Sequence, residues 1–345
     1  MSWEYGEEHL VQLPAQRRMG TYGWQEILAF DHEDFGPNSL LGRDDMSQTI
    51  LLRSVRKALW AINAEWITDE QVKEAVKKLT TVEHGKSLLE QNCEMYEFVR
   101  EGVPVTDAAY EAEHENATRR AMLIDFAHPD SPNNEFLAVR EMWVSAQGSL
   151  KRPDILGFVN GLPLLFVELK KPSHLAKEGY DGNYKDYLAS IPELFRFNAM
   201  CVFSNGNETR IGALLSDWEF FGEWKRHTEQ DAAEVSLNKL IDGICPKDKF
   251  LDLVENFILF DHNDGNMFKV FARNHQLMGV NNAYESYLKR GENGGARDNR
   301  PVDLAQNGGG ANRGDSALAE RSDRADQCRF PKLFHSFHLL TRKGS

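Results

Sequence analysis

Asp154, Glu168 and Lys170 are the residues in this chain whose types and spacing could do chemistry. They lie in the stretch Arg152-Pro153-Asp154-Ile155-Leu156-Gly157-Phe158-Val159-Asn160-Gly161-Leu162-Pro163-Leu164-Leu165-Phe166-Val167-Glu168-Leu169-Lys170-Lys171. Asn160-Gly161 between two apolar runs is a strong hairpin signal. With a loop of two or three residues, the register sets Asp154 opposite Val167 or Glu168, so the two acids meet near the open end of the hairpin. Side chains on a strand alternate, so Glu168 and Lys170 share one face and Val167 and Leu169 the other. The unbroken apolar run Leu164 to Val167 predicts a strand covered on both faces, where an acid is costly unless it is paired or bound to a cation. Two carboxylates, the carbonyl of Leu169 and a lysine suit Mg²⁺: the oxygens are hard ligands, and Lys170 could orient or help deprotonate an attacking water. A D…ExK pattern alone is common and ordinarily marks a solvated strand face. Here the Pro-Asp start, the Asn-Gly turn, the apolar run and the register act together.

The elements around this hairpin predict an α/β domain with a mixed central sheet flanked by helices, preceded by a helical region. Leu52, Val55, Leu59 and Ile62 recur at helical spacing, as do Val72, Ala75, Val76 and Leu79, with Thr68 and Gln71 forming a capping box for the second helix. The aromatic-rich stretch from Tyr96 ends in Gly102-Val103-Pro104-Val105, a helix stop followed by an extended segment. Strands are expected at Phe136 to Val144, Asp154 to Val159, Leu164 to Lys170 and Ala199 to Phe203, with a tight turn at Asn205-Gly206 and a helix over Asp181 to Leu194. Phe250, Leu253, Val254 and Phe257 mark a further helix. These patterns divide the chain into a helical region (1–118), an α/β core (119–235), a helical linker (236–291) and a Gly-, Asn- and Arg-rich tail (292–345) expected to be disordered.

At 345 residues and 41% hydrophobic content the chain can bury a sizeable core. No apolar run is long enough for a membrane span and no secretion signal opens the sequence, so a soluble cytoplasmic protein is expected, with no membrane partner. Cys93, Cys201, Cys245 and Cys328 form no CxxC pair and suggest neither a zinc site nor a disulfide framework. A formal net charge of −13 counts against a surface that is one broad nucleic-acid footprint; any DNA contact must be local or supplied by partners.

The segment from Arg152 resembles the nuclease core of the restriction (R) subunit of type I restriction enzymes, with its R-P-D, N-G-x-P and E-x-K-K-P features. The order of Gly23-Trp24, Gly102-Val103-Pro104-Val105, Asn134-x-Phe136 and Tyr187-x-x-x-Ile191-Pro192-x-Leu194-Phe195 extends the resemblance over roughly residues 8 to 290. It implies a PD-(D/E)xK fold and a Mg²⁺-dependent endonuclease acting on double-stranded DNA. Asp154, Glu168 and Lys170 would be its catalytic positions, and Asp154, Glu168 and Leu169 its metal ligands. The family's Gln-x-x-x-Tyr motif on the following helix, associated with DNA engagement, is met by Tyr187 and by Asn183 in place of the glutamine; Arg152 and Lys171 would support the same contact. An N-terminal acid that aids metal binding in such nucleases would correspond to Gln12 or Glu8. The implied partners are the methylation and specificity subunits of a restriction complex.

Arg273-Asn274-His275-Gln276 resembles the lead-in to the family's ATP-driven motor, in which Gln276 would contact adenine. No GxxxxGK[ST] loop follows, so ATP, a cofactor of the intact family, is not expected to be used by this chain, which resembles a truncated or frameshifted subunit. Two other functions fit the same residues: a non-catalytic docking or DNA-binding fragment, and a stand-alone repair nuclease, which would lack the helical N-terminal block. The purified chain should show no DNA-stimulated ATP hydrolysis in a phosphate-release assay; activity abolished by Gln276→Ala would contradict this.

Overall fold

β-Branched and aromatic residues crowd the middle third of the chain, which supplies five of the six strands of the central sheet. The computed structural model describes residues 8–293 apart from 31–32, 84, 112–117 and 264. A π turn (Glu8–Gln12) leads into α1 (Leu13–Gly20), then β1 (Gln25–Leu28), α2 (Leu52–Ile62), α3 (Asp69–Thr80) and α4 (Leu88–Glu101). There follow β2 (Val103–Thr106), α5 (Ala108–Glu111), β3 (Thr118–Ala121), β4 (Phe136–Arg140), β5 (Val144–Ala146), β6 (Ser149–Lys151), β7 (Ile155–Val159) and β8 (Leu162–Leu169). A composite helical stretch comes next, made of α6 (Ala176–Glu178), a π turn (Gly179–Tyr184), α7 (Lys185–Ser190) and a 3₁₀ turn (Pro192–Phe195). The chain continues through β9 (Met200–Ser204), β10 (Thr209–Gly212), α8 (Leu237–Ile244), α9 (Lys247–Asn256), β11 (Ile258–Asn263), β12 (Asn266–Phe271) and α10 (Asn274–Asn293). It divides into two compact units, Met1–Asn274 and His275–Ser345.

The central sheet has six strands in the order β1-β4-β7-β8-β9-β10. β1–β4 and β8–β9 are parallel and the other pairs antiparallel, so the sheet is mixed as expected. Every residue of β8 is buried, because helices cover both faces. On one face an aromatic cluster that includes Phe166, Tyr180, Tyr184, Phe195 and Phe203 joins β8 and β9 to the composite helical stretch. On the other, Ala15 and Met19 of α1 and Leu240 and Ile241 of α8 share an interior with Ile155, Leu165, Val167 and Val202. The Thr68–Gln71 capping box opens α3, and Gly102, at φ 84°, closes α4.

Several elements differ from the sequence reading. The strand expected over Phe136 to Val144 stops at Arg140, because Glu141 takes a left-handed φ of 56°. Asn205-Gly206 begins a four-residue loop, since Ser204 pairs with Thr209. The segment after α9 carries the β11–β12 hairpin, whose alternation is masked by the polar residues at its turn end. Among the described residues no helix is long and apolar enough to cross a membrane. The tail expected to be disordered lies outside the described residues beyond 293, as does Cys328; Cys93, Cys201 and Cys245 are free thiols.

The turn between β7 and β8 is built as the sequence implies, with Asn160 and Gly161 both left-handed at φ 49° and 81°. It is also clamped into the N-terminal region. Asn160 donates to the Leu123 carbonyl (2.8 Å) and accepts from the Glu135 amide (2.7 Å), while Leu51 N, at the head of α2, donates to the Gly161 carbonyl (2.8 Å). A Cβ on Gly161 would stand 2.4 Å from the Leu51 carbonyl oxygen. Gly161→Ala should therefore cost about 2 kcal/mol or more, from the left-handed backbone and the forced separation of turn and helix. It should show as a lower urea midpoint with an unchanged m-value.

Candidate active site

Beside the turn, β7 and β8 pair as Val159↔Leu162 and Phe158↔Pro163, but beyond it as Gly157↔Leu165, Leu156↔Phe166 and Ile155↔Val167. Leu164 is the extra residue of a bulge. Gly157, opposite it, has no room for a side chain: a Cβ there would lie 2.9 Å from Leu165 Cβ and 3.0 Å from Trp24. Continued one step, the shifted register puts Asp154 across from Glu168, on the face that carries Leu156 and Phe166. Of the two registers open to the hairpin, the one near the turn would oppose Asp154 to Val167, and the bulge converts it into the other.

Asp154 is 8% exposed and Glu168 1%. Asp154 Oδ2 accepts from the Leu169 amide at 2.6 Å, so the residue whose carbonyl was expected as a ligand is tied to this carboxylate through its N–H. Asp154 Oδ1 accepts from Gln12 Nε2 at 2.7 Å. Lys170 Nζ donates to Glu168 Oε1 at 2.9 Å, and Asn183 Nδ2 donates to the same oxygen. The asparagine thus reaches the acid despite its short side chain. Gln12 is buried, and its Oε1 has no hydrogen-bond partner among the described residues. An unsatisfied buried amide oxygen beside a carboxylate is costly, and a cation would satisfy it. No group of three His, Cys, Asp or Glu side chains placed to hold a metal occurs among the described residues. The oxygen set here is two acids, an amide and a carbonyl, which suits an ion that keeps several waters.

Gln12 and Asn183 both lie in π turns, local widenings of a helix that recur at functional sites. Gln16, one turn further on, donates to the carbonyls of Ile27 and Ala138 (both 2.8 Å) and accepts from Arg140. These bonds fix α1 against β1 and β4. At its other end α1 is held by Arg18 and Tyr22, both bonded to Asp242 of α8, while Trp24 Nε1 donates to the Cys245 carbonyl at 2.8 Å.

Gln12, Asp154, Asn183 and Tyr187 line a cleft of about 630 Å³ together with Glu141, Trp143, Lys151, Arg152 and Asp186. Tyr187 is 7% exposed and its hydroxyl donates to the Arg152 carbonyl at 3.3 Å. Burial, with Glu168, Asp154 and Asp186 nearby, pushes its phenol well above the ordinary value. Lys151 bridges to Asp186 at 2.6 Å and holds that carboxyl below the usual range. Lys171 is exposed just past the end of β8. The Glu8 side chain lies outside what is described, and Gln276 belongs to the second unit, half-buried in the first turn of α10. Glu141 escaped the sequence reading, since nothing marks a glutamate for a left-handed backbone.

Residues 4–242 match the family of the type I restriction enzyme R protein N terminus. The chain belongs to this family. The endonuclease subunit of the type I restriction enzyme HindI of Haemophilus influenzae is 31% identical over 297 residues, which cover 82% of this chain and 27% of that protein. A putative type I restriction enzyme endonuclease subunit, MjaIXP, of Methanocaldococcus jannaschii is 25% identical over 353 residues, covering 95% of this chain and 32% of that protein. The chain spans about a third or less of the length of these relatives. The R-protein match ends at Asp242, the residue that ties α8 back to α1.

In this R-protein region Tyr187 works through its ring and its hydroxyl differently. The ring meets Phe166 edge-on at 6.1 Å, whereas the hydroxyl supports the backbone before Asp154. Tyr187→Phe should cost about 1 kcal/mol or less and Tyr187→Ala about 3 kcal/mol or more by urea denaturation. Equal losses would contradict this division.

Proposed function

We propose that this R-protein region is a Mg²⁺-dependent endonuclease module that hydrolyses phosphodiester bonds in double-stranded DNA, with Asp154, Glu168 and Lys170 as its catalytic centre. The observation that carries the reading is the convergence of two buried carboxylates on one face of the bulged hairpin, with the unsatisfied amide oxygen of Gln12 beside them. Asp154, Glu168, the Leu169 carbonyl and Gln12 would hold the ion. When bound, it would neutralise charge on the phosphate and make water acidic enough to attack at neutral pH. Lys170, poised on Glu168, would orient that water, and its ammonium would offset the charge that grows on the phosphoryl oxygens as the bond to the leaving oxygen breaks. Asn183 holds the Glu168 carboxylate in one rotamer, and Tyr187 holds the strand entry at Arg152, so both act by positioning. Lys171, exposed past the end of β8, would meet the duplex outside the cleft.

The relatives are named as endonuclease subunits of type I restriction enzymes, which supports DNA as substrate and a restriction complex as the assembly. Methylation and specificity subunits are the proposed partners and the cytoplasm the proposed location. Gln276 is proposed as an adenine contact in a motor-bearing subunit.

Asp154→Ala and Glu168→Ala should reduce Mg²⁺-dependent nicking of supercoiled plasmid by roughly a hundredfold or more. Ca²⁺ should raise the melting temperature of the wild-type chain without supporting cutting, and Asp154→Ala should abolish that rise. Gln12→Ala should weaken Ca²⁺ binding about tenfold. Nicking by Glu168→Ala at the wild-type rate, or in excess chelator, would refute the reading.

A further inference from the structure

Arg152 precedes Asp154 by two residues, and its side chain faces the same cleft. Pro153 restricts it to an extended backbone, and the Tyr187 hydroxyl holds its carbonyl at 3.3 Å. The guanidinium lies 4.2 Å from the centre of the Phe30 ring and 5.1 Å from that of Trp143, and these rings stack on each other at 6.1 Å with 28° between their planes. Two aromatic faces thus fix the plane of the cation. Among the described residues the guanidinium makes no hydrogen bond, and its ionic neighbour is Glu141, with Oε2 3.6 Å from Nη1. That separation allows Coulomb attraction without a directed bond, so the donor fork is set in place but unspent.

Glu141 is held in an unusual way. Its left-handed φ of 56° is costly for a residue with a side chain, and its amide is bonded to the Asp154 carbonyl at 3.0 Å, on the strand that presents the acid. The residue is 9% exposed and lines the cleft, where its carboxylate would repel a polyanion unless it were balanced. On a chain of net charge −13, attraction to DNA must come from a few well-placed cations.

Resting on the DNA substrate proposed above, we infer that Arg152 is a phosphate clamp for the duplex backbone beside the cut, oriented by the Phe30–Trp143 pair and held by Glu141 until a phosphate takes its place. A phosphate offers the planar fork two parallel charge-assisted bonds, which the glutamate at 3.6 Å does not. The exchange needs no movement of the aromatic pair. It would bring a backbone phosphate to the wall next to Asp154, where its neighbour along the strand could meet the catalytic oxygens.

The test is binding of a short DNA duplex to the full chain, followed by fluorescence anisotropy in Ca²⁺ over a range of salt concentrations. Arg152→Ala should weaken binding about tenfold and lower the slope of log affinity against log salt by about one. Arg152→Lys should keep the slope but not the affinity. Trp143→Ala should weaken binding at unchanged slope and add nothing to Arg152→Ala in the double variant. Glu141→Gln should tighten binding, a direction that general loss of structure would not produce. Wild-type affinity and slope in Arg152→Ala, additivity of Trp143→Ala with it, or no duplex binding by the wild-type chain would each overturn the clamp. Cutting is not part of this measurement. A chain that shows the clamp pattern and fails to nick in Mg²⁺ refutes the nuclease reading alone, and one that nicks while Arg152→Ala binds normally refutes the clamp alone.

Discussion

Directly opposed residues of an antiparallel pair point to the same face, so whether Asp154 and Glu168 can serve one cation depends on a single unpaired residue in β8. In the register next to the turn, Asp154 would face Val167 and Glu168 would point into the aliphatic layer under α1 and α8. Leu164, taken up as a bulge, moves the pairing by one and brings both acids to the side of the composite helical stretch. The displacement has local costs that the structure meets in particular ways. Gly157 leaves space for the swollen strand, Trp24 fills the far side, and the clamped Asn160-Gly161 turn prevents the shift from relaxing toward the loop.

Once the acids share a face, the rest of the site is assembled from distant parts of the chain. Gln12 reaches Asp154 across 142 positions of sequence. Its helix is useful only because Gln16 binds the sheet and Asp242 binds Arg18 and Tyr22. Asn183 and Tyr187 come from the opposite layer, and the aromatic cluster around Phe166 and Tyr184 sets their distance from β8. The cleft is therefore a seam between two helical layers at the open end of a hairpin, and both layers supply amide groups from widened helical turns.

The hairpin was legible because Asn-Gly between apolar runs admits few other structures, and the two acids followed from it. Which register held was not legible, because Pro163, Leu164 and Leu165 are all apolar and a bulge leaves no compositional mark; Gly157 was the available hint. Gln12 read equally well as a surface residue, since its burial is decided by a partner 142 positions away. β1 was missed because Gln25 and Glu26 are exposed and the strand is short. The single helix expected over Asp181 to Leu194 is instead π, α and 3₁₀ in turn. Apolar spacing reports a buried face but not the small changes of pitch that aim Asn183 at Glu168.

The tie between α1 and α8 also bears on how the protein is made. Arg18 and Asp242 stand 224 positions apart, so the helix that presents Gln12 leaves the ribosome long before its anchor exists. At about 5–20 residues per second, that interval is roughly ten to forty-five seconds. During it the β7–β8 hairpin and its acids can already form, since their pairing is local. Gln16 can dock α1 on β1 and β4 before then, but the Arg18 end of the helix has no anchor until Asp242 emerges. The order of synthesis therefore makes the Gln12 side of the cleft a late part of the fold to be secured, and a nascent chain stalled before α8 would carry its carboxylates beside an amide whose helix is held at one end only.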